Sequence, residues 1–266
     1  MITAMYTAFD PNGIAAGRLL RLFAATLAAV LMTGAAPAPR CMETTFDGAA
    51  FMLCKITLPD DELDLFLADD AGKPFGSFSA LEEALSARGR RLVLAMNAGM
   101  YQQDLSPVGL FVADGKQRKA ANTNDGPGNF HLKPNGVFYV ADGRAGVMET
   151  GRFLRSGIRP VLATQSGPML VDHGKLHPRF LPGSTSRKIR NGIGASADGR
   201  TVWFVLSEEP VTFHHFARLF RDSLKVDNAL FLDGTISSLY DVESGRHDRL
   251  FPMGPILGVT MEAAPD

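Results

Sequence analysis

The chain has 266 residues, 45% hydrophobic and 21% charged, which is enough apolar surface to offset the ordering entropy that keeps disordered chains unfolded. Its 27 basic and 28 acidic residues give a net charge of −1 with no long basic run. That argues against a nucleic-acid partner, whose phosphates call for a concentrated positive surface. The 27 glycines and 16 prolines point to many turns and short strands.

Arg18 and Arg21 precede the apolar run Leu22–Met32, and the small residues Thr33-Gly34-Ala35-Ala36-Pro37-Ala38 follow it. A positive flank, a short apolar core and small residues are the three parts of a secretory signal. The alternative is a transmembrane anchor, for which this run is too short to cross a hydrocarbon core about 30 Å thick. Residues 1–38 are therefore expected to be a leader and signal cleaved between Ala35 and Ala38. Residues 39–266 then form one periplasmic or secreted domain with no membrane span, carrying 25 basic and 27 acidic residues. Cys41 and Cys54 both lie in that exported part, where an oxidising compartment favours their pairing. Closing that loop is worth about 3 kcal/mol in the chain-entropy model. One buried and one free thiol is the alternative.

Past the leader, no low-complexity linker or charge block interrupts the chain. Strands are predicted at Ala50–Leu58 and Leu63–Ala68, then a helix over Phe78–Ala87 with Ser77 or Ser79 as its N-cap and Gly89 near its end. Leu92–Met96 is a continuous apolar run bounded by charge and by Asn97-Ala98-Gly99, the pattern of a buried strand. Ala113-Asp114-Gly115, Ala141-Asp142-Gly143 and Ala197-Asp198-Gly199 each separate apolar runs, and Asp172-His173-Gly174 does much the same. Such pairs predict hairpins, because a tight turn needs the positive φ that Gly and Asp tolerate. The flanking strands are Gly109–Val112, Gly136–Val140, Ala145–Met148, Met169–Val171, Gly192–Ser196 and Thr201–Ser207. A second helix is predicted over Phe213–Leu224, with Phe213, Phe216, Ala217, Phe220 and Leu224 on one face and Thr212 as its cap. Strands at Ala229–Leu232, Ser238–Val242 and Pro255–Met261 complete the pattern. Two main helices and about a dozen short strands make an α+β fold, a single β-rich domain with a mixed or antiparallel sheet.

Four segments place polar residues at strand ends among glycines: Asn97-Ala98-Gly99-Met100-Tyr101, Ser166-Gly167-Pro168, Arg190-Asn191-Gly192 and Asp233-Gly234-Thr235-Ile236-Ser237-Ser238. Small residues at a strand end leave backbone N–H groups open to a ligand, and amides beside Ser, Asn and Arg suit phosphate or sugar hydroxyls. Singly, each segment reads as turn chemistry; together they point to a site. Asp233 closes an apolar strand, and Glu208 and Glu209 close Thr201–Ser207. If those strands are neighbours, two carboxyl groups flank one ligand, as glycoside hydrolysis usually requires. Ser166 lacks the Gly-x-Ser-x-Gly elbow of a nucleophile, and Gly174 and Pro178 keep His173 and His177 off a shared helix face. No cofactor is required by the sequence. A divalent cation on Asp233 and neighbouring carbonyls is open, although no dedicated ligand spacing marks it.

In this order, these segments resemble the phosphodiester glycosidase family over Leu92–Val259, most closely its bacterial branch of small exported proteins. The resemblance is also carried by Leu132-Lys133-Pro134-Asn135-Gly136-Val137-Phe138, His177-Pro178 and Asn228-Ala229-Leu230-Phe231-Leu232-Asp233-Gly234. Where many relatives read Asp-Gly-Gly-Gly-Ser, this chain has the bulkier Thr235 and Ile236. The resemblance implies hydrolysis at the anomeric carbon of a sugar linked through phosphate. It implies Asp233, Asn97 and Arg190 as the catalytic set: Asp233 faces the cationic centre or activates water, Arg190 with the Ser166-Gly167 backbone holds phosphate, and Asn97 and Asn191 orient sugar or nucleophile. Ser166, Gly167, Asn191, Gly234, Ser237, Ser238, Asn135 and Tyr101 make up the substrate-binding set, and the partner is a sugar-phosphate or glycan. The rival reading is a non-enzymatic envelope module that binds phosphorylated glycans; a purely structural envelope protein predicts no anionic ligand.

Overall fold

A computed structural model describes residues 40–234, 236–249 and 251–263. The expected leader, signal and cleavage site lie outside the described residues. Along the chain come β1 (Cys41–Phe46), β2 (Ala49–Thr57), β3 (Glu62–Phe66), α1 (Phe78–Ser86) and β4 (Arg90–Asn97). Next are β5 (Phe111–Ala113), β6 (Lys116–Lys119), β7 (Gly136–Ala141), β8 (Arg144–Glu149), α2 (Thr150–Arg155) and β9 (Leu162–Ser166). Then follow β10 (Met169–Asp172), β11 (Lys175–Leu176), β12 (Asn191–Ala195), β13 (Thr201–Ser207) and α3 (Phe213–Arg218), which a π-helical turn extends over Leu219–Ser223. The last elements are β14 (Asn228–Phe231), β15 (Leu239–Asp241), β16 (Arg246–His247) and β17 (Ile256–Glu262).

The strands form three sheets, ordered β1-β2-β13-β12-β14-β10-β11, β16-β15-β4-β17-β3 and β6-β5-β9-β7-β8. Among the described strands the pairings are antiparallel, which settles the choice between a mixed and an antiparallel sheet. A single β-rich domain with few helices is what the predicted elements imply. The inner faces of all three sheets share one core, in which Ile56, Leu94, Met96, Phe138, Phe204 and Leu257 are almost fully buried. Alternation along β2 and β13 sends Phe51, Leu53 and Val205 to the opposite face, against Phe216 and Phe220 of the second main helix. Phe78, Leu81 and Leu85 of α1 cover the second sheet, and Phe153 of α2 covers the third. Each sheet is thus buried on two faces, so strands such as β4 read as unbroken apolar runs.

Ser77 Oγ accepts from Ala80 N at 3.2 Å, which decides between Ser77 and Ser79 as the cap, and Thr212 caps α3 through His215 N. Four hairpins turn on consecutive positive-φ residues at Asp47-Gly48, Asp114-Gly115, Asp142-Gly143 and His173-Gly174. At Asp198-Gly199 only the glycine is in that region; Asp198 Oδ1 instead accepts from Ser196 Oγ and Arg200 N. The sequence reading misses β1, β6, β9, β11, β16 and α2. β6 is Lys-Gln-Arg-Lys, exposed at every position on a sheet edge, so no apolar alternation marks it. α2 is only six residues long and is nucleated by the Glu149 carboxylate, which accepts from Gly151 N and Arg152 N.

Cys41 and Cys54 face each other across the β1–β2 register and form a disulfide. With the two cysteines 13 positions apart, its loss should cost about 3 kcal/mol. Thermal unfolding of a Cys41→Ser/Cys54→Ser variant should therefore fall by roughly 6–12 °C for a domain of this size. An unchanged midpoint would show that β1 is held by its ladder alone.

Candidate active site

β4 ends at Asn97 and β12 begins at Asn191, in two different sheets, and both side chains are fully buried. Asn191 Nδ2 donates to Asn97 Oδ1 at 2.9 Å and to Asn97 O at 3.1 Å. Asn97 Oδ1 also accepts from Ser238 N at 2.9 Å, while Asn97 Nδ2 donates to Asp233 O at 3.1 Å. One amide therefore gathers both ends of the Asp233–Ser238 segment and fastens them to two sheets. These bonds also fix which atom of each amide is oxygen, since the reverse assignment would set acceptors against acceptors.

Held in this way, Asp233 is half-buried and lines a cleft of about 680 Å³ with Tyr101, Asn129, Lys188, Arg190 and Gly234. Tyr101 Oη donates to Pro252 O at 2.7 Å. Burial first, and then the Asp233 carboxylate, push the Tyr101 phenol above its usual range, so it stays protonated at neutral pH. Gly234 is a matter of space: a Cβ there would come within 2.6 Å of the Phe231 ring.

Arg190 is 2% exposed, yet only carbonyls receive its guanidinium: Nε donates to Val211 O at 2.9 Å and Nη2 to Ser186 O at 3.3 Å. No described carboxylate forms an ion pair with it. Its plane lies 3.6 Å above the Phe213 ring, Phe213 stacks on Phe180 at 4.8 Å, and Phe180 stacks on His177 at 4.8 Å. Burial lowers its pKa to about 10, which leaves it a cation at neutral pH. A buried cation whose charge is met by carbonyl dipoles and ring faces keeps the capacity to attract an anion. Lys188, exposed two residues earlier on the same extended segment, adds a second positive charge.

A smaller cleft of about 290 Å³ shares Ile189 and Gly234 with the first. It is lined by Ser207, Glu208, Ser237, Ser238, Arg246 and Asp248, with Ile236 and Phe251 among its apolar residues. Thr235 lies outside the described residues. Arg246 bridges Glu208 and Asp248, and Asp248 Oδ2 accepts from Leu239 N at 2.9 Å.

The predicted set therefore divides into three. Asp233, Arg190, Tyr101 and Gly234 line the larger cleft, and Ser237 and Ser238 line the smaller. Asn97 and Asn191 line neither cleft; Asn97 holds Asp233 O and Ser238 N, and Asn191 holds Asn97. Ser166, Gly167 and Asn135 belong to a buried region beneath the third sheet's end: Asn135 donates to Phe130 O and accepts from Thr150 Oγ1, and Gly167 abuts Asn135 and Phe130. They are not among the residues lining either cleft. The pairing of Glu208 with Asp233 across neighbouring strands does not form, because β12 lies between β13 and β14. Glu208 engages Arg246, and Glu209 accepts from Ala50 N at 3.1 Å. The sequence reading misses Lys188, whose only signal is its two-residue spacing from Arg190; Arg246, Asp248 and Phe251 carry no sequence signal of their own. Among the described residues, no three His, Cys, Asp or Glu side chains are grouped to hold a metal.

A family model described as phosphodiester glycosidase matches residues 90–256. The uncharacterized protein YigE of Escherichia coli (strain K12) is 39% identical over 169 residues, 64% of this chain and 65% of that protein, so the chain spans just under two thirds of this relative. Among solved structures, the catalytic domain of zebrafish N-acetylglucosamine-1-phosphodiester alpha-N-acetylglucosaminidase, auto-inhibited by pro-peptide, superposes with a TM-score of 0.55. That match has 12% identity and covers 82% of this chain and 81% of the zebrafish one, which is a likeness of fold.

Two measurements test this geometry. Asn97→Ala leaves the Ser238 N–H unpaired in a buried place, takes one of the two bonds of Asn191 Nδ2 and removes a donor to Asp233 O, and should destabilise the fold by about 3 kcal/mol in denaturant unfolding. A loss under 1 kcal/mol would mean the segment is held by other contacts. The second concerns His177, which is 3% exposed and keeps its neutral form by donating Nε2–H to Lys133 O while Nδ1 accepts from Arg179 N. Burial first, helped by Arg179, holds its imidazole below the ordinary 6.5. Below that pH the unfolded chain binds a proton that the folded chain resists, so stability falls as pH drops from about 6.5 toward 5. His177→Gln, which keeps a donor but cannot titrate, should flatten that slope by up to one proton. An identical slope would contradict the assignment.

Proposed function

The chain belongs to the phosphodiester glycosidase family, and from that premise we propose that it is an exported hydrolase cleaving a glycosyl-1-phosphate diester at the anomeric carbon. The observation that carries the reading is the buried Arg190 guanidinium, held only by carbonyls and aromatic rings, lining one cleft with Asp233. The zebrafish enzyme of like fold is named for an N-acetylglucosamine-1-phosphodiester, which makes the same class of linkage the first candidate here. The Cys41–Cys54 disulfide supports export, since such bonds persist in oxidising compartments.

In this reading water attacks C1 of the sugar and the bond from C1 to the phosphate oxygen breaks, its electron pair leaving with the phosphate. The departing group is a phosphate monoester whose second pKa is about 6, so little help from a general acid is needed. Arg190 and Lys188 hold its charge, and the electrostatic part of catalysis rests mainly on them. Asp233 stabilises the oxocarbenium-like centre or takes the proton of the attacking water. Asn97 and Asn191 keep Asp233 in place without touching substrate.

The test is release of free sugar from GlcNAc-1-phosphate diesters and from p-nitrophenyl glycosides, with and without chelator. Turnover of the diester alone is expected, and chelator sensitivity reports on a divalent cation. Asp233→Asn should lower kcat by at least about 100-fold with the fold intact, and Arg190→Gln should lower kcat/KM by about the same factor. Full activity in Asp233→Asn would remove that residue from the mechanism. Binding of sugar phosphates without turnover would establish the non-enzymatic module instead.

A further inference from the structure

The two clefts that share Gly234 and Ile189 differ in charge and in kind. The larger has Arg190 and Lys188 against Asp233, a surplus of one positive charge. The smaller has Glu208 and Asp248 against Arg246, a surplus of one negative charge. A phosphate entering the smaller cleft would meet net repulsion; an uncharged ring would not.

The smaller cleft is also built for hydroxyl groups. Arg246 is locked between two carboxylates, with Nε and Nη2 on Asp248 and Nη1 on Glu208, and Asp248 is itself anchored to Leu239 N. Charged groups fixed in this way bind neutral hydroxyls by charge-assisted hydrogen bonds with little further ordering cost. Ser237 Oγ is buried and has no partner among the described residues, a donor and acceptor left for an incoming group. Beside these polar groups the lining includes apolar residues: Phe251, which leaves 54% of its surface exposed, Ile236 and Leu206. A pyranose has the same mixed character, with hydroxyls at its rim and C–H groups on its face. At about 290 Å³ the cleft is at the small end of ligand sites, with room for one ring and not for a chain.

We propose that the smaller cleft seats one uncharged monosaccharide ring, so that the substrate straddles Gly234 with its phosphate beside Arg190 and its sugar between Phe251 and the Glu208–Arg246–Asp248 group. The assignment rests on the hydrolase reading for its linkage but makes its own claim about where the sugar binds. Ser207 links the two halves: it lines the smaller cleft, and its Oγ accepts from Arg190 N at 2.9 Å. Asp233 precedes the shared Gly234, which places it next to the junction between ring and phosphate.

The test separates the two halves of the substrate. Inorganic phosphate, and N-acetylglucosamine, glucose, galactose and mannose each alone, are titrated onto the purified protein by NMR, with wild type, Phe251→Ala, Glu208→Gln and Arg190→Gln compared. Phe251 is exposed and Arg246 keeps Asp248 when Glu208 is replaced, so both variants should fold. At least one neutral sugar should bind, about tenfold more weakly to Phe251→Ala and to Glu208→Gln and equally well to Arg190→Gln. Phosphate should show the converse pattern. If no neutral sugar binds, or if sugar binding ignores Phe251 and Glu208, the subsite is wrong even where diester turnover stands. If sugars bind as predicted but no diester is cleaved, the subsite stands and the hydrolase reading falls.

Discussion

The site depends on one buried amide. Asn97 accepts from Asn191 and Ser238 and donates to Asp233, so a single side chain at the end of a central strand decides where the Asp233–Ser238 segment lies. A loop between strands ordinarily runs over the surface and moves. Here its two ends are fixed to the framework of two sheets, and Asp233 lines one cleft, Ser237 and Ser238 the other, with Gly234 shared by both. The rigidity is polar in origin. Left unmade inside a core, these bonds would each cost more than they contribute when formed, so the arrangement is close to all-or-none.

Arg190 obeys the same logic with the opposite sign. A core normally neutralises a buried cation with a carboxylate, as Arg246 is neutralised by Glu208 and Asp248 a short distance away. Arg190 receives instead two carbonyls and an aromatic stack that runs back through Phe213 and Phe180 to His177. Stability alone would favour a partner at this position. A charge held ready for an anion that arrives from outside is the account most consistent with the family and with the cleft in front of it.

Much of this was legible in the sequence, and the parts that were not share a cause. β4, α1 and the Phe213 helix were readable because burial on one or two faces leaves a periodic or continuous apolar pattern. The Asp-Gly hairpins were readable because turn geometry restricts residue choice. β6 and α2 were not, since one is polar throughout and the other is held by a single Glu149 cap. At the site, Asp233, Asn97, Asn191 and Arg190 stood out because strand ends rich in small and polar residues are rare inside a core. Whether a polar residue faces a cleft or ties a loop is a matter of three-dimensional register. That is why Asn135 resolves into a tie within buried backbone, and why Arg246, Asp248 and Phe251, which complete the smaller cleft beside Glu208, Ser237 and Ser238, left no linear pattern.

The central claim is that the bond broken is the one between the anomeric carbon and oxygen, with phosphate leaving intact toward Arg190. Hydrolysis of a glycosyl-1-phosphate diester in water labelled with heavy oxygen, followed by mass spectrometry of the released phosphate monoester, tests it most directly. The account predicts an unlabelled phosphate, because water attacks carbon. Heavy oxygen in the phosphate would mean attack at phosphorus, and would contradict the roles given to Asp233 and Arg190 together.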